Sequence, residues 1–270
     1  MLMTIGGMNS LSTLNSTQKA MQNSMMKMAT GSKFPGAAHG PAEYGILQRM
    51  YSNAGAISQS NDNTQTASSM LKTASGATEN VVSSLSTLRD KLLQAANGTN
   101  GDSDLATLQK SVDQTIASID DTVASATYNG KQLLNGEQSI TVAGADGYKN
   151  VQLGDLSSKG LGLTDSEGKS TLDLTDSSSI ASALEKVDAA LNTALDQATT
   201  LGSEEQGLDY KSANYTTQET SLYGSASTMG DTDIAAEVTK LKSASVQNQL
   251  ALFATKMQNY NRASVLSLLS

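Results

Sequence analysis

The chain has 270 residues and a formal net charge of −8, with one His, no Cys and no Trp. Thiol catalysis, Cys-based zinc sites and disulfides have no residues to build them, a single His all but excludes a multi-His metal site or a His triad, and the acidic balance argues against nucleic acid as a partner. Only 38% of residues are apolar and 4% aromatic, too few large side chains for a compact enzyme core but enough for the narrow seams of long helices.

From Leu11 onward the N-terminal segment reads as an amphipathic helix, with Leu11, Leu14, Met21, Met25 and Met28 on one stripe. Thr30-Gly31 ends it. The stretch to Pro41 holds both prolines, Pro35 and Pro41, with Gly36 and Gly40, and reads as a linker. A long helix is predicted from about Ala42 to about Asn97, where Leu71, Thr78, Leu85 and Leu92 repeat every seven residues, as do Ala74, Val81, Leu88 and Ala95. A turn over Gly98 to Asp102 follows, with Asp102 or Ser103 as the expected cap of the next helix. That helix carries Leu105, Val112, Ile119 and Ala126 at heptad spacing, and Tyr128-Asn129-Gly130 closes it with a pair suited to positive φ.

Between Ser139 and Leu174 the period changes. SITVAGADGYKNVQL reads as a β-hairpin, with Ile140 and Val142 on one strand, Val151 and Leu153 on the other and a turn at Asp146-Gly147. Residues 157–179 are rich in Gly and Ser and read as a flexible stretch or a small irregular cap. Helical spacing returns at Ile180 and continues through Val187, Ala194, Leu201, Leu208, Tyr215, Leu222 and Met229, with a companion seam that weakens at Glu205, Ser212 and Glu219. Gly230-Asp231 punctuates it. The last segment is amphipathic again, with Val246, Leu250, Phe253, Met257 and Tyr260 on one stripe and Val265, Leu266, Leu268 and Leu269 crowding the end.

Charge separates the ends from the middle. No Asp or Glu occurs before Glu43 or after Glu237, while seven of the eighteen cations lie there, leaving eleven against twenty-six carboxylates between. An acidic solvated body with two charge-poor amphipathic ends implies that the ends need neighbours to cover their apolar faces. The expected class is mainly α: a long antiparallel helical coiled-coil rod with a small β-hairpin region and paired N- and C-terminal helices. Its parts are residues 1–42, a body over 43–230 with a β insertion near 139–174, and residues 231–270. No apolar run is long enough for a bilayer span, so no membrane insertion is expected, and the start lacks the basic and apolar regions of a cleaved signal.

The ends resemble those of the bacterial flagellins. Asp231, Asp233, Ala235, Glu237-Val238, Gln249, Asn259 and Val265-Leu266-Ser267-Leu268-Leu269 follow the family's carboxyl terminus, and Asn9-Ser10-Leu11-Ser12 with Leu14-Asn15 follows its opening. Gly31, Ala95-Ala96-Asn97-Gly98, Ser103-Asp104-Leu105 and Tyr128-Asn129-Gly130 extend the likeness inward. The segment Lys33-Phe34-Pro35-Gly36-Ala37 with His39-Gly40 departs from the family pattern, and the chain is short, without the variable outer domains.

The resemblance implies a structural subunit, not an enzyme and without a cofactor, secreted by the flagellar export apparatus with an export chaperone. It implies assembly at the tip, beneath the filament cap and onto hook-associated proteins, into a homo-polymer that forms the extracellular filament for swimming. Leu11, Leu14, Met21, Met25, Met28, Val246, Leu250, Phe253, Met257, Tyr260, Val265, Leu266, Leu268 and Leu269 are then the polymerisation interface. In related flagellins an Arg, a Leu and a Glu on the first two body helices are read by Toll-like receptor 5; their places here are Thr87, Lys91 and Ser111, with Arg89 kept, so weak recognition is expected.

Two other readings stand beside this one. A hook-filament junction protein shares the ends and the export route but is expected to be longer in the middle. A helical signalling rod needs a tight tip midway along unbroken heptads, where this chain has β-type sequence. For an enzyme, Asp120-Asp121 and Glu204-Glu205 read as solvated carboxylates on helices, and His39 in its Gly/Pro linker reads as structural or exposed.

Overall fold

The computed structural model describes residues 2–137 and 139–269, and the side chains of all of these except residues 2–7, Arg262, Leu266, Leu268 and Leu269. Five helices carry the chain: α1 (Leu2–Thr30), α2 (Pro41–Ala95), α3 (Asp102–Ser125), α4 (Ser177–Gly230) and α5 (Ile234–Leu269). Between α3 and α4 lie two small antiparallel hairpins, β1 (Thr127–Tyr128) with β2 (Lys131–Gln132), and β3 (Ser139–Gly144) with β4 (Gly147–Gln152). The fold is mainly α, as the heptads imply. Contacts divide the chain into two compact units, Met1–Gly55 with Thr220–Ser270, and Ala56–Glu219.

In the unit of residues 56–219 the predicted seam of α2 is buried throughout: Leu71, Thr78, Leu85, Leu92, Ala74, Val81, Leu88 and Ala95. It meets Val112, Ile116 and Ile119 of α3 and Ile180, Val187, Ala194, Leu201 and Leu208 of α4 in one apolar core. Each fully buried Leu or Val stabilises the unit by roughly 1.5–3 kcal/mol. Polar cross-links fix α2 and α4 antiparallel, because numbers rise on one helix as they fall on the other: Ser68 donates to Asp209 at 3.4 Å, Lys72 pairs with Glu205 at 3.6 Å and Arg89 pairs with Asp188 at 2.7 Å. Where the companion seam weakens, Ser212 donates to Asn61 at 2.6 Å, so a polar contact takes the place of apolar packing.

The insertion differs from expectation in three places. Asn129 (φ 50°) and Gly130 (φ 76°) do not end α3 but form the turn of the β1–β2 hairpin, where two positive φ values are what a two-residue turn requires. In the second hairpin Ile140 pairs with Val151 and Val142 with Lys149, Leu153 lies just beyond β4, and the two-residue turn is Ala145-Asp146, closed by the Gly144–Gly147 pair. At the closing pair Gly144 lies against the Tyr215 hydroxyl, and any Cβ there would collide with it. The turn is tied to α4 by Tyr215, which donates to Asp146 at 3.3 Å, and to α2 by Asn63, which donates to the Ala143 carbonyl at 3.0 Å.

The third difference is the stretch after β4. Its leucines, Leu153, Leu156, Leu161, Leu163, Leu172 and Leu174, are all buried in the core. Asp120, expected to be solvated, clamps this stretch by accepting from the Ser158 amide at 2.8 Å and its hydroxyl at 2.7 Å. Gln109 holds it again by donating to the Leu172 carbonyl at 2.9 Å and accepting from the Leu174 amide at 3.1 Å.

Helix ends are set by local side chains. Gly101, not Asp102 or Ser103, is the cap of α3, and its amide donates to the Asp104 carboxylate at 3.1 Å. Asp176 caps α4, accepting from the Ser178 and Ser179 amides at 2.9 and 2.8 Å. Those bonds, the Ser179 amide first and the Ser178 hydroxyl next, pull its carboxyl down to about 2.

Candidate functional site

In the unit of residues 1–55 and 220–270, α1 and α5 run antiparallel along a shared seam. Ser24 donates to Glu237 at 2.9 Å, Asn248 to Thr17 at 3.2 Å and Gln258 to Ser10 at 3.1 Å. The inward positions step by three and four on both helices: Ser10, Leu14, Thr17, Met21, Ser24 and Met28 on α1, and Glu237, Leu241, Ala244, Asn248, Ala251, Thr255 and Gln258 on α5. That is a heptad seam built largely of small and polar residues. Hydrogen bonds set its register, and little apolar area is hidden by it.

The large side chains of α5 point the other way. Val246 is 55% exposed, Leu250 62%, Phe253 64% and Tyr260 73%, and Met257 and Val265 are exposed beside them. On α1, Leu11 and Met25 are exposed, while Leu14, Met21 and Met28 turn partly into the seam. The predicted interface set is therefore divided between two faces. The side chains of Leu266, Leu268 and Leu269 lie outside the described residues. The seam itself escaped a search for large apolar residues, although Ser10, Thr17 and Ser24 at seven-residue spacing, matched by Glu237, Ala244 and Ala251, were its signal.

Glu237 is the one acid of this seam and is nearly sealed from solvent by the two helices. Lys240 binds it at 2.8 Å and holds its carboxyl below the usual range, against the opposing effect of burial, with the Ser24 hydroxyl and the Lys27 charge adding to the lowering. A carboxyl lowered by folding stabilises the pair above its unfolded pKa of roughly 4.3 and loses that contribution as pH falls through the lower folded value. Amide protection of residues 21–28 and 237–244 should therefore fall as pH drops below about 4, and Glu237→Gln should remove that dependence. Hydrogen exchange across a pH series on both proteins checks it.

The linker between α1 and α2 is fastened to the end of α4 and to the connection between α4 and α5. The Lys33 amide donates to the Gly230 carbonyl at 2.7 Å, the Thr232 amide to the Gly31 carbonyl at 2.8 Å, and Lys33 Nζ to the Thr228 carbonyl at 3.2 Å. Gly31 (φ 67°) turns the chain into this pairing. His39 sits in a single 3-10 turn, Ala37–His39, its amide bonded to the Gly36 carbonyl. The Tyr51 and Tyr223 rings meet in a tilted contact, 6.3 Å between centroids and inclined by 46°, in the same unit.

The second predicted patch lies in the other unit. Lys91 Nζ donates to the Ser111 carbonyl at 3.2 Å and to the Thr115 hydroxyl at 2.7 Å, so the structure brings Lys91 and Ser111 together. Arg89 is engaged by Asp188, and Thr87 faces solvent. A groove of about 910 Å³ between α3 and residues 164–175 is lined by Leu105, Ile116 and Leu172 among lysines and aspartates of mixed sign. Among the described residues no cluster of three or more His, Cys, Asp or Glu could hold a metal, and no helix is long and apolar enough to cross a membrane.

Comparison with known proteins decides the family. The bacterial flagellin N-terminal helical region matches residues 4–139, and the bacterial flagellin C-terminal helical region matches residues 184–269. The chain belongs to the bacterial flagellin family. Flagellin FljM of Caulobacter vibrioides is 26% identical over 97% of this chain and 96% of its own length, so the short form is shared end to end. A crystal structure of Bacillus cereus flagellin superposes on 57% of this flagellin and 88% of its own chain, with a TM-score of 0.50 and 28% identity. A protein assigned as a flagellar hook-associated protein in Vibrio parahaemolyticus reaches a TM-score of 0.60 over 71% of this chain and 99% of its own, but at 16% identity it shows the fold alone. As a flagellin, this protein is a structural subunit of the bacterial flagellar filament.

Proposed function

We propose that the outward faces of α1 and α5 drive polymerisation: Leu11 and Met25 with Val246, Leu250, Phe253, Met257, Tyr260 and Val265 pack against neighbouring subunits, and the apolar terminal sequence with Leu266, Leu268 and Leu269 adds to the interface. Leu14, Met21 and Met28 support it from the seam. The observation that carries this reading is the division of α5, whose seam side is mostly small and polar while its large apolar residues Val246, Leu250, Phe253, Met257 and Tyr260 stand exposed. A pair built so is only marginally stable alone and gains its main apolar burial when neighbours cover it. Residues 1–42 and 231–270 are then the polymer-building segments, and residues 43–230, with the insertion near 139–174, are the acidic solvated body that keeps the polymer dispersed.

Limited proteolysis of dissociated subunits tests this. Cleavage should fall first within residues 1–40 and 231–270 and spare the rest, and these segments should become resistant in filaments. Survival of both ends in the free subunit would sink the reading. The same proposal places the subunit on the flagellar export route, held by an export chaperone and delivered beneath the filament cap onto hook-associated proteins, outside the cell. Marginal terminal helices suit passage of an unfolded chain.

Weak recognition by Toll-like receptor 5 belongs to the same reading. Thr87, Lys91 and Ser111 replace the side chains that related flagellins present, and Arg89 is held by Asp188. Losing interface hot spots costs about 2 kcal/mol or more each, so a receptor reporter assay should show potency at least about tenfold below an activating flagellin. Equal potency would contradict it.

A further inference from the structure

The chain has 11 methionines and no cysteine, so mild peroxide oxidation of its side chains falls on thioether sulfur. Their placement is uneven. Met8, at 70% exposure, and Met26 lie about five turns apart on the line of α1 that faces away from α5. Met25 is exposed on the flank of α1, and Met257 stands exposed between Phe253 and Tyr260 in the outward stripe of α5. Met50, Met70 and Met229, by contrast, are partly buried in helices of the body, and Met21 and Met28 turn into the α1–α5 seam.

We propose that Met8, Met25, Met26 and Met257 form an oxidation-sensitive patch: hydrogen peroxide converts them to sulfoxides in the unassembled subunit and blocks its addition to a filament, whereas assembly shields them. The inference rests on the polymerisation reading above. In the reaction the thioether sulfur attacks the peroxide O–O bond. One oxygen forms the S=O group, the other leaves as water, and the two electrons lost by sulfur are taken up by the peroxide. A flexible apolar side chain thereby becomes polar and demands hydrogen bonds that an apolar subunit contact does not supply. Sulfoxide reductases acting on both epimers reverse the change.

The test treats full-length dissociated subunits with hydrogen peroxide, maps added oxygen by peptide mass spectrometry and follows elongation from seeds. Oxygen should appear at these four methionines before Met70, and elongation should slow by about tenfold or more, the size of one lost interface hot spot. Reduction by a mixture of the two reductases should restore it. The variant carrying M8L, M25L, M26L and M257L, a near-isosteric set, is compared with its own untreated rate, and peroxide should leave that rate unchanged. Unimpaired elongation by subunits oxidised at all four positions, or equal loss in the quadruple variant, would overturn the proposal. The polymerisation reading fails separately, if untreated subunits do not elongate or if assembled filaments are oxidised at these positions as fast as free subunits.

Discussion

Phe253→Asp is expected to abolish filament elongation while leaving the unfolding of residues 56–219 unchanged, and Leu250→Asp should do the same. Both side chains are mostly exposed in the free subunit, so a carboxylate at either site stays hydrated and costs the monomer little. In the polymer that carboxylate would be enclosed in apolar surroundings without a partner, a penalty on the order of 3 kcal/mol even after relaxation. Such a penalty raises the critical concentration roughly a hundredfold. Loss of the original apolar contact adds to it. Seeded elongation followed by light scattering and electron microscopy reads the effect, and circular dichroism melting of the monomer reads the control. Long filaments from Phe253→Asp at ordinary concentration would remove α5 from the interface. A drop in monomer helix content equal to a full unfolding of α5 would instead assign the loss to the fold.

What could be read from sequence follows from which side chains carry the periodicity. Leu71, Leu85 and Leu92 on α2 and Val187, Leu201 and Leu208 on α4 are large and apolar at seven-residue spacing, and all are buried where the heptad places them. The α1–α5 seam has the same spacing but, apart from Leu14, Met21, Met28 and Leu241, is written in Ser, Thr, Ala, Asn, Gln and Glu, so a search for apolar stripes finds part of it on α1 and settles on the outward face of α5. Both stripes are real. They serve different partners, one within the subunit and one proposed beyond it. Residues 157–176 escaped for another reason: irregular backbone imposes no period, and its leucines are placed by long-range clamps from Gln109 and Asp120. The hairpin turn lies one residue before the Asp146-Gly147 pair, and its closing Gly144 packs under Tyr215, far along the chain, with no room for a Cβ. Local sequence carries no mark of that contact.

Leu163→Ala should destabilise the unit of residues 56–219 by about 2–5 kcal/mol, the cost of a large-to-small change in a packed core. A flexible surface stretch would predict a change within about 0.5 kcal/mol. Leu163 is fully buried, its amide donates to the Ser158 carbonyl at 2.8 Å and its carbonyl accepts from the Thr171 amide at 2.8 Å. The backbone is thus held from both sides and has little freedom to collapse into the vacated space, which places the cost toward the upper part of that range. Ser166→Ala, at an exposed position of the same loop, supplies the near-neutral comparison. Urea unfolding of both variants measures the difference, and equal midpoints would mean that the loop leucines do not belong to the core. Because Leu163 belongs to the core of the unit of residues 56–219, Leu163→Ala subunits should still elongate seeds at low temperature. Stability lost with assembly kept is the reverse of the Phe253→Asp outcome, and the two variants together separate what folds the body from what builds the filament.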